Sequence, residues 1–250
     1  MATTSASPAH APESDSSSSI GRLFGVLFSP KATFQSIVRR PTWWLPMVVL
    51  ILLALLVVGI FGKRGGWPPY LQKQVQSNTR FQQLPAKQQQ QQLAVALKYT
   101  PDFVFGEVAV VVPLAMVIIA ALLLATFNLV QGTQIKYKTA LSIVSYAWVP
   151  GIISGLLGIV VISLKDPATV DLQNIVVANA SAFISPDAPR WQVMLLSSID
   201  IFTFWEMFLM AIGFGVAAPR KLSTGKAFAS IFAIWLIWIA IRVGATAAFS

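Results

Sequence analysis

Four charged side chains fall inside apolar stretches of this sequence: Glu107, Asp200, Glu206 and Arg242. A charge at the centre of a bilayer costs about 2.5–3.5 kcal/mol on insertion scales, so such residues face a bundle interior or a water cavity and find partners there. The chemistry open to them is ion pairing between helices, or holding a proton, a cation, a lipid headgroup or a partner helix. Asp200 and Glu206 share the phrase DIFTFWEMF and stand six residues apart. On a helix that spacing puts them about 120° apart.

Reflection through the 219–226 hairpin places Arg242 level with Thr203, between the two acids. An Arg at that level reaches one carboxylate well but not both. The reading is that Arg242 pairs with Asp200 and holds the last two spans in register, while Glu206, deeper and without a basic partner, is the functional acid of this intramembrane network. The same construction brings Glu107 within a turn of Lys165, a rim pair.

Other chemistries are excluded or unsupported. The chain has no cysteine and one histidine, His10, which removes thiolate chemistry and Cys/His metal sites. No nucleophile elbow, HExxH motif or phosphate loop occurs. Ser142, Ser145 and Ser154 read as hydrogen-bonders between helices. The expectation is therefore a protein that is not an enzyme and uses no cofactor or metal. A net charge of +9 arises from 18 Lys and Arg spread between apolar stretches. That distribution suits topology and anionic headgroups, and no nucleic acid is expected.

The elements that must position these residues follow from composition. The 250-residue chain is 56% hydrophobic and 11% charged, with a mean hydropathy of +0.70. Crossing the hydrocarbon layer takes roughly 20 apolar residues of helix. Stretches long enough occur at 43–62, 103–130, 139–164, 193–218 and 227–249. The fold expected is an all-α membrane protein, a five-span transmembrane bundle over residues 41–250.

Residues 1–19, rich in Ser, Ala and Pro, bury too little to fold and read as a disordered tail. Residues 20–40 read as an interfacial amphipathic helix lying on the membrane, the alternative being a short helix packed on the bundle. Ser29 suits an N-cap and Pro30 the first helical position. Phe34, Ile37 and Val38 then share one face, and Lys31, Gln35 and Arg39 the other. Arg40 follows, and Trp43 and Trp44 mark the headgroup level. Pro85 opens a helix over the glutamine run. Pro150, Gly151, Gly155 and Gly158 form a helix-packing face in the third span.

The short loops 131–138 and 219–226 carry five bases and no acid, which places them, the N-terminus and the basic 20–40 region in the cytoplasm and the C-terminus outside. Lys63 and Arg64 run against that orientation.

The phrases LFSPKATFQSIVRRPTWWLPMVVL and SIDIFTFWEMFLMAIGFG, with the following KLSTGKA, resemble the bacterial branch of the Yip-domain family, named for eukaryotic Ypt/Rab-interacting membrane proteins. The motif positions are Asp200, Trp205, Gly213, Gly225 and Lys226. The resemblance runs from about residue 21 to the C-terminus. It implies a five-span bundle with a cytoplasmic N-terminus, in a bacterial cytoplasmic membrane. The Asp-Leu-Tyr-Gly-Pro phrase of the eukaryotic branch is missing, so a Rab GTPase partner is not carried over.

The function expected is a non-enzymatic multi-pass membrane protein that binds lipids, membrane-protein partners or a second copy of itself in membrane organisation or trafficking. The alternative is a small proton- or ion-coupled transporter using Glu206.

Overall fold

The computed structural model describes residues 18–76, 79–172, 174–185 and 188–248. Of the expected tail, residues 1–17 with His10 lie outside the described residues, whereas Ser18 and Ser19 belong to the first helix. The Ser18 hydroxyl accepts from the backbone N–H of Gly21 and caps α1, Ser19–Phe28. After Ser29, α2 runs Pro30–Arg39 with proline in its first turn. The 20–40 region is thus two helices rather than one. The apolar face of α2 does not lie on a bilayer surface: Phe34 and Ile37 are fully buried, covered by α7 and α10. Lys31, Gln35 and Arg39 are exposed on its other side.

The first span is α3, Trp44–Lys63, followed by α4, Trp67–Gln76, and the short α5, Thr79–Gln82. Pro85 then caps α6, Ala86–Ala125, which continues through a π-turn at Thr126–Val130. The glutamine run and the second apolar stretch are therefore one uninterrupted rod of 45 residues. At about 1.5 Å per residue it is roughly 67 Å long, about twice the hydrocarbon thickness. Pro101 and Pro113 are accommodated inside it.

The third apolar stretch is α7, Tyr137–Ala147, and α8, Pro150–Leu164, separated by a tight turn in which Gly151 N–H donates to the Trp148 carbonyl. The fourth is interrupted: α9 covers Arg190–Ser198 and α10 covers Ile201–Ala217. The break has a chemical cause. Asp200 takes an extended conformation and its carboxylate accepts the backbone N–H groups of Phe202 and Thr203, so it starts a new helix instead of sitting within one. The last stretch is α11, Thr224–Ala248.

Among the described residues four helical stretches are long and apolar enough to cross a membrane: Trp44–Lys63, Ala86–Val130, Tyr137–Leu164 and Thr224–Ala248. Ile201–Ala217 is a shorter apolar helix. Every residue of it from Leu209 to Gly215 is buried. It packs on α2, α7 and α11 around the main core, which includes Phe34, Phe127, Ile143, Tyr146 and Phe214. A second core joins α3, α4, α6 and α8 at the opposite end, where Phe61, Trp67 and Tyr70 meet edge to face. Leu52, Leu114, Leu156 and Ile237 are exposed, the pattern of a bundle whose solvent is lipid.

Candidate functional site

The expected ion pair between Asp200 and Arg242 does not form. The Asp200 carboxylate is held by its own helix, at 2.9 Å from Phe202 N and 3.1 Å from Thr203 N. Arg242 is exposed on α11, beside the exposed Trp238 and Ile241. The reflection that paired them assumes two straight, continuous helices, and the fourth stretch breaks at residue 200. Glu107 and Lys165 are likewise both exposed, with no ion pair between them. The Lys165 and Ser163 carbonyls receive the guanidinium of Arg64 instead, at 3.4 and 2.5 Å. A cation at the last carbonyls of α8 complements the helix dipole and ties the end of α3 to the end of α8.

Glu206 is half-buried on α10 and faces the start of α8: a Cβ built on Gly151 would stand 3.6 Å from Glu206 Oε1. No hydrogen bond reaches its carboxyl group from the described residues. The glycine series of α8 turns towards α3. Gly155 leaves room for Leu53, whose Cδ2 would lie 2.6 Å from an added Cβ, and Gly151 for Leu50 at 3.3 Å. Gly158 faces Ile175 and Val176 of the loop before α9. Pro150 is buried in the first turn of α8.

Near Glu206, α8, α9 and α10 open into a cavity of about 350 Å³ at the end of the bundle that holds the 165–189 loop. Ser154, Gly155, Ser197, Asp200 and Thr203 are among the residues lining it. The loop is fastened across its mouth by a short antiparallel bridge between Asn179 and Asp200. Its backbone bonds are Ala180 N–H to Ile199 and Ile201 N–H to Ala178.

Of the motif residues, Trp205 is half-buried against the main core. Gly213 is where α10 admits α2 and α7: an added Cβ would collide with Ile143 Cγ2 and meet the Phe34 ring at 3.1 Å. Gly225 has open space around it. Lys226 is exposed in the first turn of α11, where its backbone N–H donates to Ser223 Oγ. Trp43 packs on the main core, while Trp44 is exposed. Arg40 is exposed past the end of α2.

Sequence reasoning passed over Arg22. It is buried, and its guanidinium donates to the carbonyls of Arg40 and Ser36 and to Thr42 Oγ1. Thr42 in turn is 3.4 Å from the hydroxyl of the buried Tyr146. The signal was present: Arg22 stands alone among the apolar residues of SIGRLFGVLF.

No group of His, Cys, Asp or Glu able to hold a metal ion occurs among the described residues. No curated protein and no solved structure matches the chain. A family model for the Yip1 domain matches residues 24–245, which takes in α2 to α11, both cores and the motif residues of α10 and α11. The chain belongs to the Yip1 domain family.

Proposed function

We propose that this integral membrane protein is a non-enzymatic membrane-organising module that attaches to the cytoplasmic leaflet through α1. One observation carries the reading. Ile20, Phe24 and Phe28 form an i, i+4, i+8 stripe exposed by 62, 63 and 81%, while Arg22 and Val26 on the opposite face are buried in the bundle. A helix fixed on one side and apolar on the other suits the headgroup boundary. Lys31, Arg39 and Arg40 are exposed nearby in sequence and suit anionic lipids.

The arrangement in the membrane is five crossings, with α10 as the fourth. The basic loops 131–138 and 219–226 then lie with α1 and α2 in the cytoplasm, and the 64–85 and 165–189 segments outside, in a bacterial cytoplasmic membrane.

The absence of cysteine makes the test direct. Single cysteines replacing Phe24, Ser223 or Ala182 are labelled in full-length protein. An environment-sensitive dye at position 24 is expected to shift to the blue in anionic vesicles and to be quenched by brominated lipid. Ser223→Cys is expected to react with an impermeant maleimide only from the cytoplasmic side, and Ala182→Cys only from outside. A dye at 24 that reports water in lipid vesicles overturns the lipid reading, and protection there only when other membrane proteins are present points to a protein partner.

A second reading is favoured by Glu206, whose carboxyl group lies against the α7–α8 break without a hydrogen-bond partner. Interrupted helices facing an acid are how many transporters hold coupling ions. Proton flux in proteoliposomes that Glu206→Gln abolishes would carry it, and no flux in either protein rejects it.

A further inference from the structure

The cavity between α8, α9 and α10 contains polar groups that the fold itself leaves unused. Most of the hydrogen-bonding capacity nearby is consumed. Asn179 Nδ2 donates to Asn174 Oδ1 at 2.8 Å, and Ser181 gives both its N–H and its hydroxyl to Asn179 Oδ1. Ser197 donates to the Met194 carbonyl. Hydroxyls on helices ordinarily return to the carbonyl one turn back, as Thr126, Ser142, Ser145 and Ser230 do here. Ser154 and Thr203, which line the cavity from facing helices, do not: neither hydroxyl has a partner among the described residues.

Asp200 lies on the same wall. Its Oδ1 takes both backbone N–H groups of the cap, which leaves Oδ2 without a bond. Among the described residues no Lys or Arg lines the cavity to balance this carboxylate. The remaining wall includes apolar side chains such as Val57 and Ile175. A volume of about 350 Å³ admits a group of several heavy atoms.

A negative group, two uncommitted hydroxyl oxygens and a few apolar side chains between them are complementary to one kind of ligand. We propose that this cavity binds a primary ammonium group on a short carbon chain, with Asp200 as its counter-charge and the Ser154 and Thr203 hydroxyls accepting its N–H bonds. A charge-assisted N–H···O bond is the strong form of this contact. The same chemistry is offered by a free alkylamine outside the cell and by an ethanolamine lipid headgroup in the outer leaflet. The site lies on α8 to α10 and uses nothing of α1, so it stands or falls separately from the leaflet attachment.

The full-length protein in phosphatidylcholine nanodiscs, whose headgroups lack an N–H donor, is titrated with putrescine or ethanolamine and followed by calorimetry and thermal unfolding. 1,4-Butanediol is the neutral control. In parallel, thermal stability is compared in nanodiscs with and without phosphatidylethanolamine. Asp200→Asn keeps a side-chain oxygen for the cap and removes the charge, so it separates folding from binding.

Saturable amine binding without diol binding, weakened at least tenfold by Asp200→Asn and a few-fold by Ser154→Ala or Thr203→Val, supports a soluble amine. Stabilisation by phosphatidylethanolamine alone, lost in Asp200→Asn, supports the headgroup. Absence of both effects, or equal binding by Asp200→Asn, overturns the proposal. Should Asp200→Asn fail to fold, Ser154→Ala and Thr203→Val decide: undiminished binding by both overturns it.

Discussion

Arg22 on α1 donates to the carbonyl of Arg40 at 3.0 Å, and this bond ties the first helix to the end of the second. The guanidinium also reaches Ser36 O and Thr42 Oγ1. It thus adds donors at the end of α2, where the Ser36 carbonyl also accepts the Arg40 N–H. Replacing Arg22 by Leu removes these part-buried, charge-assisted bonds together. We expect a loss of about 2–3 kcal/mol. Arg22→Lys recovers little of it, because a single ammonium cannot reproduce the planar fork. Thermal unfolding in detergent and membrane abundance check both, and stability equal to that of the parent in Arg22→Leu would refute the account.

The geometry at Asp200 makes a different forecast from an ion pair. Asp200→Ala removes a helix cap and is expected to cost about 1 kcal/mol. Asp200→Asn and Arg242→Leu each change stability little. The Asp200→Ala/Arg242→Leu double variant then equals the sum of its parts within about 0.5 kcal/mol, as for independent sites. A larger coupling energy would show that the two side chains meet.

At two glycines a helix needs the missing side chain. Gly213→Val drives a branched group into Ile143 and Phe34, and Gly155→Leu does the same to Leu53. Each is expected to destabilise by about 1–3 kcal/mol, the cost of overfilling a packed contact. Gly225→Ala, which enters open space, is expected to be neutral or slightly stabilising because the glycine lies in a helix. The three variants compared by thermal unfolding check the contrast, and equal effects at 213 and 225 would contradict it.

What the sequence made legible was periodicity and punctuation. Ser29 and Pro30 mark the start of α2, Pro85 marks the start of α6, and the faces of α2 divide where the spacing of Phe34 and Ile37 against Lys31 and Gln35 says they should. What covers a face was not legible. The apolar side of α2 reads equally well as meeting lipid or protein, and only the tertiary arrangement puts α10 there. Asp200 misled for a related reason: a carboxylate inside an apolar run has the same spelling whether it pairs with a distant Arg or caps a helix that begins beside it. The cavity was out of reach as well, since Ser154 and Thr203 are unremarkable letters until two helices are set face to face. The stretches that became α3 and α11 were plain, because length and hydropathy alone decide them.

The unbroken course of α6 sets a distance. With its π-turn end at one face of a hydrocarbon layer of about 30 Å, a rod of about 67 Å leaves roughly half its length beyond the other face. The glutamine end is not a loose loop that can fold back onto the bilayer, since α4 packs along it and the Phe61–Trp67–Tyr70 cluster lies at the root of that pair. The helix is thereby a fixed spacer: its glutamine end stands at a set distance from the lipid surface, and shortening the glutamine run by whole turns would lower it in steps of about 5.4 Å.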